Sequence, residues 1–205
     1  MSSAAVHGTS QGREGRDARL ALIALLVIQI GIGYEWFMSG LTKIYRGGFA
    51  SGLGADLREK SLGAEGWYRG ILLHQVVPHA NVFGYMIEWG ELVVGVGFIV
   101  AAAWWLYRGE RASRRVRISI YVTTIAAALA GTFMAVNFHI ANGSPHAWAI
   151  PRDGFDESVD LDSLLPYIQL ILLAVSARLL WLERPLPARR IDQPADAHAV
   201  PLDVA

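Results

Sequence analysis

At 205 residues the chain is long enough for one domain, and with 53% hydrophobic residues and a mean hydropathy of +0.33 it is too apolar for an ordinary soluble one. Acidic and basic residues balance at 18 each, so no excess of positive charge points to nucleic acid, and no nucleic-acid partner is expected. With no cysteine, the chain has no disulfide, no iron–sulfur cluster, no Cys-ligated metal and no thiol chemistry.

Residues 1–18 are polar, rich in Ser, Gly and Arg, and lack an apolar h-region of their own. They are read as a flexible cytoplasmic tail ahead of an uncleaved first span. A bilayer core needs about 20 apolar residues in helix, and four stretches qualify: Leu20 to Lys43, Asn81 to Tyr107, Ile118 to Ala141, and Leu164 to Leu182. Between the first two lies a long connection of about 37 residues, a length that usually carries structure or function. Its second half, Gly66 to Ala80, mixes Trp67, Tyr68, Ile71, Leu72, Leu73, Val76 and Val77 with Arg69, His74 and Gln75. That pattern predicts a short helix lying in the membrane interface and ending at Pro78. Residues 184–205 hold four prolines among Ala, Asp and Arg and are read as a second flexible tail.

Orientation follows the Lys/Arg bias. Between spans two and three stand Arg108, Arg111, Arg114, Arg115 and Arg117; between spans three and four stands only Arg152, among Asp153, Asp156, Glu157, Asp160 and Asp162. Both termini and the arginine-rich connection are therefore expected in the cytoplasm. The expected fold is an all-α membrane protein: a four-transmembrane-helix bundle over residues 19–183, multi-pass in the cytoplasmic membrane and in contact with lipid. Trp104, Trp105 and Tyr107 are expected in the cytoplasmic aromatic belt, and Trp36, Trp148 and Tyr167 in the outer one.

Ionisable residues inside spans are costly and default to a functional hypothesis. With this topology Glu35 (span one), Glu88 and Glu91 (span two) and His139 (span three, near Asn137) all fall in the outer half of the membrane. Glu88 and Glu91 lie roughly 10–15 Å below that surface at about 1.5 Å per residue. Gly84, Glu88, Glu91 and Gly95 share one helical face, with glycines that permit a close neighbour. Glu35, Ser39 and Lys43 form an i, i+4, i+8 stripe on span one. Thr132, Val136 and His139 share a face on span three, as do Gln169 and Ser176 on span four. Lys43 with Glu91 reads equally as a structural ion pair. Carboxylates with an imidazole also admit iron, manganese or zinc on Glu35, Glu88, Glu91 and His139, although the paired Glu-x-x-His ligands of di-iron bundles are missing.

Three pieces of the chain resemble the DoxX/DoxD family of small four-helix membrane proteins. They are Gly33-Tyr34-Glu35-Trp36-Phe37-Met38-Ser39-Gly40-Leu41-Thr42-Lys43, then Trp67-Tyr68 ahead of His74 to His79, then Gly90-Glu91-Leu92 with Gly95 and Gly97. The resemblance covers roughly Leu20 to Ala103; the last two spans agree by hydropathy alone. It implies a membrane subunit of the thiosulfate:quinone oxidoreductase type, or an accessory subunit of another membrane redox enzyme. Lys43 and Glu91 fall on the family's motif positions; Glu35, Glu88 and His139 come from the depth argument. The activity of the DoxD type also involves a second subunit or domain, and no such soluble domain is legible here. The chain is therefore expected to be at most the membrane subunit of a quinone-linked oxidoreductase. Its expected partners are other subunits of a redox or respiratory complex, and its candidate proton- and quinone-interacting residues are Glu35, Lys43, Glu88, Glu91 and His139. The alternative is a non-catalytic subunit that packs against a larger membrane complex.

Overall fold

The computed structural model describes residues 4–64, 66–142 and 161–184. The C-terminal tail, the acidic third connection and Trp148 lie outside the described residues. All regular structure among those described is helical: α1 (Ala4–Arg46), α2 (Phe49–Lys60), α3 (Gly66–Ile71), α4 (Ala80–Arg108), α5 (Arg114–Ala141) and α6 (Leu161–Leu182). Four helical stretches are long and apolar enough to cross a membrane: Gly15–Arg46, Gly66–Arg108, Arg114–Ala141 and Ser163–Leu182. In lipid each backbone polar group must be satisfied within its own segment, which is why these sequences settle as uninterrupted helices.

The pattern of burial points the same way. On α4, Gly84, Glu88, Glu91 and Gly95 are buried, while Tyr85, Met86, Trp89, Val93, Val96 and Val100 are exposed. A helix with acids inside and a continuous apolar stripe outside is stable against lipid tails, not against water.

Helix α1 starts at Ala4, so residues 4–18 continue the first helix. An existing helix extends without a new nucleation cost. It stops at Gly47 and Gly48, whose φ values of 66° and 80° are left-handed and favour glycine. The chain reverses there into α2, an element the sequence reading left as loop. Its Ala50, Leu53 and Leu57 are buried at i, i+3, i+7, and Leu53 and Leu57 pack against Tyr68, Leu72, Val77 and Ala80 in a small core that caps one end of the bundle.

The expectation that Pro78 ends the second-half helix is corrected. A π-helical turn over Leu72–Val76 is closed by the Val77 N–H on the Leu72 carbonyl, and a 3-10 turn over Val77–His79 then feeds directly into α4. Proline in the first turn of a new helical segment forfeits no hydrogen bond, and the widened turn before it relieves the clash its ring would make. Pro78 is thus a joint rather than a stop.

Helices α1 and α4 cross at glycines. A Cβ on Gly95 would lie 2.3 Å from the Phe37 nitrogen, and one on Gly40 would lie 2.6 Å from the Leu92 nitrogen, so the two backbones touch. Gly84 does the same for α2, where a Cβ would lie 2.4 Å from Ala50 Cα. The main core joins Ile32, Trp36, Val94, Phe98, Ala128, Ala135 and Leu172 from the four long helices. Trp36 is 3% exposed and stacks obliquely on Phe138 at 6.3 Å, so it belongs to this core and not to an outer aromatic belt. Trp105 likewise turns inward against the Ala101, Ile120 and Tyr121 cluster, whereas Trp104, Tyr107 and Tyr167 are exposed.

Buried polar side chains are used as cross-links. Gln29 Nε2 donates to the Phe98 carbonyl at 3.0 Å and to Thr124 Oγ1 at 3.3 Å, tying α1 to α4 and α5. Thr132 Oγ1 donates to Gln169 Oε1 at 3.1 Å, tying α5 to α6.

At the arginine-rich end the Arg117 guanidinium holds the Glu183 carboxylate in a bidentate pair at 2.6 and 2.9 Å, and Arg114 donates to the Glu183 carbonyl. The guanidinium keeps the Glu183 carboxyl below its ordinary range. A lowered native-state pKa stabilises the fold at pH above the carboxyl's unfolded value, and that contribution is lost as pH falls through the native one. Thermal unfolding followed from neutral to acid pH should therefore show Glu183→Gln below the parent at neutral pH, with the gap closing on acidification. A constant gap would mean that the side chain acts through packing alone.

Candidate functional site

At the end opposite the arginines, α1, α2, α3, α4, α5 and α6 surround a cavity of about 410 Å³. Most of its wall is apolar, with Leu53, Leu57, Leu72, Ile87, Met134 and Leu165 among the lining residues. Each helix contributes by its periodicity. From α1 come Glu35, Ser39 and Lys43, the i, i+4, i+8 stripe read in the sequence, together with Trp36. From α4 come Phe83, Ile87 and Glu91. From α5 come Phe133, Met134, Asn137, Phe138 and Ala141, spaced i, i+1, i+4, i+5, i+8.

The polar centre of this wall is one ion pair. Lys43 Nζ lies 2.8 Å from Glu91 Oε1 and 2.6 Å from Oε2, and donates to Ser39 Oγ at 2.7 Å. An ammonium carries three N–H donors, and these three contacts use them all. Glu91 is 1% exposed, so the pair stands where lone charges are costly. Ser39, having accepted from Lys43, keeps its own hydroxyl proton to donate. On the same wall, Asn137 accepts from the Tyr68 hydroxyl at 2.8 Å and donates one amide N–H to the Phe133 carbonyl at 2.7 Å, which leaves its second N–H. Lys43 Nζ also lies 5.2 Å from the Phe49 ring centroid. Asp56 and Lys60, both on the wall, pair with each other at 3.1 Å.

The sequence-predicted residues divide at this point. Glu35, Lys43 and Glu91 line the cavity; Glu88 and His139 do not. Both of the latter are buried, at 5% and 4% exposure. Asn137, Phe138 and Ala141 hold the cavity face of α5, and His139, a further 100° round the helix, is turned out of it. Glu88 lies three residues before Glu91 on the same buried face of α4, where its carbonyl abuts Gly40 of α1. The metal set of Glu35, Glu88, Glu91 and His139 is therefore corrected: among the described residues no three His, Cys, Asp or Glu side chains come together as a metal site. Sequence reasoning missed Asn137 as a cavity donor, Asp56 and Lys60, and the whole contribution of α2. The signal available for α2 was the apolar spacing Ala50, Leu53, Leu57.

Comparison of the chain with family models, with curated proteins and with solved structures finds no match.

Proposed function

We propose that the chain is a membrane subunit of a redox or respiratory complex in the cytoplasmic membrane, and that the cavity beside Lys43 and Glu91 takes a quinone headgroup in the outer half of the bilayer. The observation that carries this reading is the cavity itself. Its volume lies within the few hundred to a thousand Å³ of small-molecule sites, and it is mostly apolar with a few hydrogen-bond donors on its wall. The positive-inside bias supports the orientation, with the termini and the Arg108 to Arg117 segment in the cytoplasm. The resemblance of the Gly40-Leu41-Thr42-Lys43 and Gly90-Glu91-Leu92 segments to the DoxX/DoxD family supports the redox setting.

A bound quinone supplies two-electron, two-proton redox chemistry. Toward its carbonyl oxygens the chain offers the Ser39 hydroxyl proton and the second amide N–H of Asn137, and Glu35 is the carboxyl on the wall that can hold or release a proton. Lys43, with all its donors engaged, holds the Glu91 carboxylate and orients Ser39. Electrons arrive from a partner subunit. Glu88 and His139 serve the bundle interior and not the ligand. A second reading, a non-catalytic accessory subunit, is favoured by one feature: the Lys43, Glu91 and Ser39 group satisfies itself and locks α1 onto α4.

Native mass spectrometry of the protein released from its own membranes in mild detergent separates the two. The redox reading expects partner subunits together with a quinone mass. Partner subunits without quinone favour the accessory reading, and a lone chain without ligand contradicts both.

A further inference from the structure

Among the described residues the charges on the cavity wall do not balance. Three carboxylates line it, Glu35, Asp56 and Glu91, against two ammoniums, Lys43 and Lys60. Glu91 is held by Lys43 and Asp56 by Lys60. Among the described residues no Lys, Arg or His forms an ion pair with Glu35. The wall therefore presents one carboxylate without a cation, on a membrane-spanning helix, where an ionised group without a partner is costly. The same wall carries six aromatic side chains: Trp36, Phe49, Tyr68, Phe83, Phe133 and Phe138. Ring faces attract positive charge within about 6 Å of the centroid, and Lys43 Nζ already lies at that range over Phe49. The Lys43 ammonium itself has no N–H left to give a small anion.

We propose that this cavity binds lipophilic organic cations, with the positive charge held by the Glu35 carboxylate and the apolar body packed on the aromatic wall. A delocalised or quaternary cation suits such a site better than a primary amine, since it sheds little hydration on entering and needs no hydrogen-bond acceptor of its own. This ligand class is separate from the neutral quinone proposed above; the two share the apolar wall and differ in what they ask of Glu35.

The test uses the full chain purified in mild detergent and equilibrium dialysis with radiolabelled tetraphenylphosphonium, beside decylubiquinone as a neutral probe. The proposal expects saturable tetraphenylphosphonium binding that weakens at least tenfold in Glu35→Gln and less than twofold in Glu59→Gln, an exposed carboxylate off the cavity wall. Phe49→Leu, which keeps the apolar volume but removes a ring, is expected to weaken the cation several-fold. Glu35 is exposed, so its substitution leaves the fold intact, and an unchanged melting temperature verifies that. No saturable tetraphenylphosphonium binding, or equal binding by parent and Glu35→Gln, overturns the proposal. Cation binding without quinone binding sustains it while removing the quinone reading; the reverse result removes the cation site and leaves the quinone reading standing.

Discussion

Lys43→Met is expected to be among the most destabilising single substitutions in the chain. It removes the cation that forms an ion pair with Glu91 and leaves a carboxylate that is 1% exposed. Breaking one side of a buried pair costs about 3–5 kcal/mol, because the remaining charge keeps its desolvation penalty and loses its partner. Glu91→Gln should cost less, since an amide retains polar contact with Lys43, which at 24% side-chain exposure reaches some solvation on its own. The informative variant is the double one, Lys43→Met with Glu91→Leu. Replacing both charges by apolar groups of similar size is often neutral, so the double variant should recover most of the loss in thermal unfolding followed by tryptophan fluorescence. A double variant as unstable as Lys43→Met alone would show that the pair is not the unit of stabilisation. If the double variant is stable but no longer binds a quinone analogue, the pair serves the ligand site beyond its role in packing.

The second large effect is expected at Gly95. A Cβ there would meet backbone atoms of Phe37 at 2.3 and 2.6 Å and the Gly33 carbonyl at 2.7 Å. A flexible side chain could swing away from such a contact, but helix backbone cannot. Gly95→Leu must therefore push α1 off α4, and the cost should reach or exceed the upper end of the about 1–3 kcal/mol usual for overpacking. Gly31 is the matched control, because nothing lies within 4 Å of a Cβ at that position. Gly31→Ala should be neutral or stabilising by up to about 1 kcal/mol through helix propensity. The pair of variants, compared by melting temperature and by gel-filtration profile in the same detergent, separates backbone approach from a general intolerance of larger residues at the glycines of α1 and α4. Equal behaviour of the two would refute the glycine contact.

Much of this architecture was legible because membrane-spanning segments must be long, apolar and continuous. Span four was expected over Leu164 to Leu182 and runs Leu161–Leu182; span two was expected over Asn81 to Tyr107 and runs Ala80–Arg108. Helical spacing also placed Gly84, Glu88, Glu91 and Gly95 on one buried face, and Glu35, Ser39 and Lys43 on one wall. What spacing within a helix could not supply is the direction in which a face looks. Glu88 and Glu91 share a face, yet only Glu91 meets the cavity, because the crossing of α1 at Gly40 and Gly95 divides that face between neighbours. His139 is turned off the face of α5 that Asn137, Phe138 and Ala141 present to the cavity. Trp36 looked like an interfacial aromatic by its position along the chain, and it is buried because α5 brings Phe138 against it. Helix α2 was hidden by its glycines, Gly52 and Gly54, which lower helix propensity on a segment whose stability comes from packing onto α3 and α4. Pro78 was read by its local rule as a stop, but the chain spends a π turn ahead of it and passes through.

The claim at the centre of this account is that the cavity walled by Glu35, Lys43 and Glu91 is a ligand site for a quinone. Photolabelling with an azido-quinone in native membranes, followed by peptide mapping, tests it most directly. The account predicts labels on cavity-lining residues of α1, α2 and α5, such as Trp36, Leu53 and Met134, suppressed by excess unlabelled quinone and reduced in Leu53→Trp, which fills the space. Labels confined to lipid-facing positions such as Tyr85, Trp89 and Val93, unaffected by competitor, would contradict it.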